Sequence, residues 1–304
     1  MQSSSAETQI LKPGPLVGVG LRHLHYDDAL AHDHSTHPID FVEIHAENFY
    51  AKGGITRELL YDVREKYDVS VHGTSLGLGS QLRLPKDQLT LFSDLVERTD
   101  PLMVSEHLCF NRANIDGQIY HSGDLLPIAY NQLSLNAISD NIQQLQDAIK
   151  RPILIENLSA YIKPSDMEAQ ALDEMRETEF LIAMCKHAGC GLLLDLNNLI
   201  VNALNQGTQN VLEHVAALID EIPPELVGEI HLAGFSEQQV AGFIIDDHGQ
   251  AVSEQCWQIY KHAVKRFSST PTLVEWDTNL PTWEVLVQQG AKARQLLAQA
   301  KRPS

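Results

Sequence analysis

Seven short apolar runs in this 304-residue chain end in His, Asp or Glu. They close as Glu43-Ile-His45-Ala-Glu47, His72-Gly73, Ser105-Glu106-His107, Glu156-Asn157, Asp195-Leu-Asn-Asn198, Glu229-Ile-His231 and Glu275-Trp-Asp277. Imidazoles and carboxylates without a thiolate suit Zn, Fe or Mn. Gathered without cations, so many carboxylates would repel one another and force their pKa values apart, so their convergence points to more than one metal ion. Two spacings add candidates: Asp195-x-x-Asn198 on a tight strand-to-helix turn, and Asp246-Asp247-His248-Gly249, an Asp-x-His pair in a turn. Any one of these reads equally well as a solvated strand end or an ordinary turn, because Asp and Gly favour turns in any case. The shared address of seven strand ends is what carries the argument.

That address requires strands. Eight runs fit: Leu16–Leu21, Ile39–His45, Val69–His72, Leu102–His107, Pro152–Glu156, Gly191–Asp195, Val227–His231 and Pro271–Glu275. Amphipathic helical patterns lie around Arg57–Tyr67, Lys86–Glu97, Asn131–Lys150, Glu174–Ala188, Thr208–Glu221 and Glu254–Phe267, with one more after Pro281; the first crossover, after Asp27, is the weakest. Strands alternating with helices make a parallel sheet, and eight of them predict one closed (β/α)8 TIM barrel over residues 13–304, preceded by a disordered polar segment at 1–12. Side chains alternate across a strand, so Glu43/His45/Glu47 and Glu275/Asp277 each share a face. Directed inward at the C-terminal mouth, where barrel active sites are built, they form a metal cluster. The loops His32–His37, Asn111–Pro127 and Ala233–Gly249 would shape that mouth.

Composition narrows the function classes. With 22 Lys+Arg against 40 Asp+Glu, the net charge of −18 argues against nucleic acid, whose binding needs clustered cations. No run approaches the roughly 18 apolar residues of a membrane span and no secretory signal is visible, so a cytoplasmic, membrane-free protein is expected. The four cysteines, Cys109, Cys185, Cys190 and Cys256, form no CxxC pair and read as reduced, buried thiols.

Taken in order, His72, His107, Glu156, Asp195-x-x-Asn198, His231, Asp246-x-His248 and Glu275 resemble the trinuclear site of the endonuclease IV and xylose-isomerase-like barrel superfamily. Within it, the strings GVGLRHLHYDD, DFVEIHAENF, SVHGTSLGLGS, SEHLCF, LIENLSAY, LLLDLNNLIVNA, EIHLAGF and LVEWDTNLP resemble the multinuclear iron oxidase family once filed as domain of unknown function 692 (UPF0276), which includes the methanobactin biosynthesis oxidase. The likeness runs from about Gly18 to Pro281.

The resemblance implies one metal held by His72, His107 and a bridging Glu156, a second by Glu156, Asp195, His231 and Glu275, and a third by Asn198, Asp246 and His248. Asn198 stands where the DNA-repair relatives carry a His, which makes a weaker third site. His45, Glu47 and Asn48 are the candidates for catalysis, whether by touching substrate or by orienting ligands; Asn157, pointing away from Glu156, stays outside the ligand set. Arg22, His25 and Asp124, just past the first and fourth strands, are candidate substrate contacts. The implied cofactor is two or three mixed-valence iron ions, with Zn or Mn as substitutes. The implied reaction is O2-dependent oxidation of cysteine in a ribosomally made precursor peptide, aided by a separate partner protein. Two other readings stay open: a divalent-metal hydrolase or sugar isomerase, and a non-catalytic metal- or peptide-binding scaffold.

Overall fold

A computed structural model describes residues 16–33, 35, 38–161, 174–236, 239, 240 and 242–300. The expected disorder at 1–12, and His34, Thr36 and His37 of the first loop, lie outside the described residues. All eight expected strands form. They are β1 (Val17–Gly20), β2 (Phe41–His45), β3 (Asp68–Gly73), β4 (Met103–His107), β7 (Leu154–Glu156), β8 (Gly191–Asp195), β9 (Val227–Leu232) and β12 (Thr272–Val274). They close as a barrel in the order β1-β12-β9-β8-β7-β4-β3-β2, every pair parallel.

Helices α1 (Tyr26–Ala31), α2 (Ile55–Lys66), α3 (Lys86–Thr99), α4 (Gln132–Ile149), α5 (Glu177–Ala188), α6 (Leu196–Asn205), α7 (Val211–Glu221), α8 (Glu254–Arg266) and α9 (Trp283–Ala300) surround it. Their apolar stripes bury the outward strand residues, such as Val42, Ile44, Val69, Val71, Leu192 and Leu194. Capping fixes several starts: Asn131 accepts from Ser134 N at 2.9 Å for α4, and Ser253 from Cys256 N at 3.1 Å for α8.

Three features depart from expectation. The stretch expected as a loop after the fourth strand is an antiparallel hairpin, β5 (Phe110–Ile115) and β6 (Gln118–Leu126). Its turn is Asp116-Gly117, with φ of 51° and 82°, the two positive values a two-residue type I′ hairpin loop demands. Helix α6 was not expected: its sequence, LNNLIVNALN, is buried almost all round, and the face that gathers Asn197, Asn198, Asn202 and Asn205 carries no charge. The loop before α8 carries a second short hairpin, β10 (Gln239–Val240) with β11 (Phe243–Ile244).

Inside the barrel, the period-two alternation makes layers. At the bottom, Phe41, Met103, Leu154, Leu193 and Leu273 pack into an apolar plug. Glycine makes room there: a Cβ on Gly18 would lie 2.5 Å from the Phe41 ring. Two residues further along the strands the same face turns polar, with Glu43, Ser105, Glu156, Asp195 and Glu275 replacing the hydrocarbons, all of them buried. The apolar plug closes one end and leaves the polar layer facing the C-terminal loops.

Candidate metal centre

Strand register brings the donors together. His45 lies beside His72, His107 beside Glu156, and Asp195 beside His231. His107 donates Nδ1–H to the Gly73 carbonyl at 3.1 Å, which leaves Nε2 an unprotonated acceptor. His72 has Nδ1 at 2.8 Å from Ser105 Oγ. The two Nε2 atoms are 3.4 Å apart and lie 3.3 and 3.4 Å from Glu156 Oε2. Burial holds both imidazoles below their ordinary pKa, in the neutral form that binds metal.

Glu156 is shared with a second group. One donor atom each from Glu156, Asp195, His231 and Glu275 lie within 4.8 Å of one another, as do those of His72, His107 and Glu156. Asp195 caps α6 by accepting from Asn198 N at 2.6 Å through Oδ1, while its Oδ2 has no hydrogen-bond partner. Glu156 Oε2 is likewise without one. Burial pushes the Glu156 carboxyl well up and that of Asp195 to about 7. Burial works the same way on Glu275, but His248 and His231 outweigh it and hold that carboxyl low. Orphaned, buried carboxylate oxygens facing neutral imidazoles fit divalent or trivalent cations, which would replace the missing positive charge.

Of the residues expected to hold a third ion, His248 and Asp246 are in contact. His248, held at φ 41°, places Nε2 2.8 Å from Asp246 Oδ1 and Nδ1 3.2 Å from Glu275 Oε2. The compact donor group that includes it is His248, Glu275 and Asp277. Asn198 donates Nδ2–H to the Asn157 carbonyl at 2.9 Å, and its Oδ1 is unpartnered. Asn197 donates to Asp246 Oδ1 at 2.7 Å and so pins the loop that bears the Asp-x-His pair.

The other singled-out residues separate by position. Arg22, 7% exposed, puts Nη2 3.3 Å from Glu43 Oε1, 3.1 Å from Glu275 Oε1 and 2.6 Å from Asp277 Oδ1. Burial alone would lower its pKa, but Asp277, Glu43 and Glu275 raise it instead, so it is a committed counter-charge inside the barrel. His45 borders the cluster, with Nε2 3.7 Å from Glu275 Oε1. Glu47 accepts from Thr74 N and Ser75 Oγ at 3.0 and 2.7 Å and anchors the loop after β3. Asn48 and Asp124 are exposed. His25 is buried against Trp283, with Nε2 3.0 Å from the Pro281 carbonyl. Asn157 clasps the Asp195 backbone through both amide atoms, at 2.9 and 3.0 Å. Cys109 is buried, and burial pushes its thiol up.

Three acids that the sequence placed at strand ends without a role of their own belong to this site: Glu43, Glu229 and Asp277. Glu43 and Glu229 are fully buried. The signal was present, since Glu43 is in phase with His45, Glu229 with His231, and Asp277 with Glu275.

A UPF0276 protein of Paraburkholderia phytofirmans is 39% identical over 312 residues, covering 98% of this chain and 96% of its own. Another from Chromobacterium violaceum is 40% identical over 288 residues, covering 95% and 96%. In fold, the chain is similar to endonuclease IV from Thermus thermophilus, with TM-score 0.58 and 12% identity over 94% of this chain and all of that one. D-psicose 3-epimerase from Clostridium cellulolyticum also gives 0.58, at 10% identity over 94% of this chain and 99% of that one. At such identities the likeness concerns the barrel alone. Among the described residues no helix is long and apolar enough to cross a membrane. The family model for the RiPP precursor modification enzymes MbnB/TglH/ChrH matches residues 16–298, so this barrel with its layered histidines and carboxylates belongs to that family of enzymes acting on ribosomally made peptides.

Proposed function

We propose that the chain is a multinuclear non-haem iron oxidase that uses O2 to modify cysteine in a precursor peptide, working in the cytoplasm with a separate partner protein. The observation that carries the reading is the shared carboxylate: Glu156 belongs to both the His72/His107 group and the Asp195/His231/Glu275 group. A single carboxylate serving two donor groups holds two metal ions close together.

Iron, when bound, would supply the one-electron and oxygen chemistry that no side chain possesses. The chain's own residues do the rest. His72 and His107, kept neutral by burial, offer Nε2 without having to lose a proton. Glu156, Asp195, Glu275 and His231 supply the second group, while Asp246, His248 and Asn198 border a third position. Arg22 balances Glu43, Glu275 and Asp277, so the acids can share a small volume. His45, 21% exposed, stands toward the mouth and is placed to meet a substrate group entering there. The −18 net charge suits a peptide with a basic leader through electrostatic steering.

The test is metal analysis with Mössbauer and optical spectra of protein made in iron-supplemented medium without chelator, followed by a cysteine-containing peptide and O2. Two or more irons of mixed valence per chain, with a spectrum that changes on peptide addition, support the oxidase. Zinc or manganese retained despite ample iron would refute it in favour of a hydrolase or isomerase. Metal without turnover in the presence of a partner would favour the scaffold.

A further inference from the structure

The three histidines of the two Glu156-containing groups do not turn the same nitrogen to it. His72 and His107 spend Nδ1 on Ser105 Oγ and the Gly73 carbonyl and present Nε2 to Glu156. His231 is reversed. Its Nδ1 lies 3.0 Å from Glu275 Oε2 and 3.9 Å from Glu156 Oε1, on the side of the shared carboxylate. Its Nε2 lies 3.3 Å from Glu43 Oε2 and 3.8 Å from Glu229 Oε1; Nε2 and Glu43 Oε2 are both buried without a hydrogen-bond partner, while Nδ1 is hydrogen-bonded to Glu275. Glu43 is itself held from the far side, where its Oε1 accepts from Arg22 Nη2 at 3.3 Å.

We propose that Glu43 is a positioning residue that fixes His231 as an Nδ1 ligand, taking Nε2–H on its carboxylate while Arg22 anchors the other oxygen. The inference deepens the metal-centre reading and rests on it. A ligating imidazole that donates its other N–H to a carboxylate is fixed in tautomer and ring orientation and becomes a better base. Two strands of the barrel set the geometry. Glu43 on β2 and His231 on β9, separated in the barrel by β1 and β12, meet in the interior, with Glu229 two residues before His231 on the same face. Glu43 touches His231 and lies outside both Glu156-containing donor groups; its own compact group is with His45 and Glu275, so its loss should bear on the second ion and spare the one at His72 and His107.

The probe is zinc, which binds such donors and is diamagnetic. In zinc-loaded protein with 15N-labelled histidine, long-range 1H–15N correlations should show His231 metallated at Nδ1 and protonated at Nε2, the His231→Gln variant identifying its signals. Chelator competition should show Glu43→Ala weakening the second zinc by about 10- to 100-fold while the ion at His72 and His107 keeps its affinity. Glu43→Gln retains an acceptor oxygen and should recover part of the loss; it also serves if the alanine variant does not fold. Metallation of His231 at Nε2, or a Glu43→Ala protein that holds both ions as the parent does, overturns the role of Glu43 and leaves the metal centre standing. A parent protein that binds no second zinc overturns the metal-centre reading and this inference together.

Discussion

Replacing Arg22 by methionine keeps most of the side-chain volume and removes the charge that faces Glu43, Glu275 and Asp277. Removing one partner from a buried ion network costs about 3–5 kcal/mol, because the remaining charge is left uncompensated. Asp277 is 28% exposed and partly screened, so the lower end, about 3 kcal/mol, is the better figure. An unfolding entropy of about 2.1 cal/mol/K per residue gives roughly 0.6 kcal/mol/K for 304 residues, and Tm should therefore fall by about 5 °C. The pH dependence follows from Asp277. Burial alone would raise its pKa, but Arg22 lowers it, so its stabilisation is present above the unfolded value near 4 and fades as pH drops through the folded value. In Arg22→Met that carboxyl moves up and takes a proton earlier, so the deficit in metal-free protein should be largest near neutral pH and shrink toward about pH 4.5. Zinc should also narrow it, because a divalent cation supplies charge where the guanidinium did. Differential scanning calorimetry of metal-free and zinc-loaded protein at two pH values measures all of this. An unchanged Tm at neutral pH, or a deficit that grows when zinc is added, would show that Arg22 is not the counter-charge of the acid layer.

Glu156→Ala should deplete metal from both groups at once, since its carboxylate is common to them; full metal content by elemental analysis would remove the shared-ligand assignment. Asn198→Ala should cost at most the third ion, and loss of all metal would show that the groups are not separable. Burial raises Asp195 to about 7, above its unfolded value near 4, so the folded state binds the extra proton between those limits. The sign is then opposite to that of Asp277: metal-free stability should decline as pH rises through this window, while the Tm gain from zinc should grow, because binding must displace that proton. A zinc-induced gain that stays flat across that window would contradict the raised carboxyl.

Much of the barrel was legible because burial on both faces leaves a local mark. Runs such as GLLLD and PILIE are continuous apolar stretches with a polar end, and their spacing by helical patterns specifies parallel pairing. Alternation also told which residues share a face, and so placed Glu43, His45, Glu275 and Asp277 in register before any distance was known. Helix α6 was missed although its four Asn share one face, because that face is uncharged and largely buried, so the segment reads as the continuation of an apolar run. The hairpin of β5 and β6 carried its Asp116-Gly117 turn signal in plain view, but its strand residues are largely exposed and lack the alternation that marks a strand.

What the sequence determined by itself was the set of strand ends and their chemistry, because side-chain type and period are local properties. Only the tertiary structure decided how those ends are shared out: that Arg22 faces three acids, that His25 turns to Trp283, that His231 has Nδ1 beside Glu275 where His72 and His107 have Nε2 beside Glu156. Those outcomes depend on the stagger between strands far apart in the chain and on which buried atoms remain without partners. Both are properties of the closed barrel and of no single segment in it.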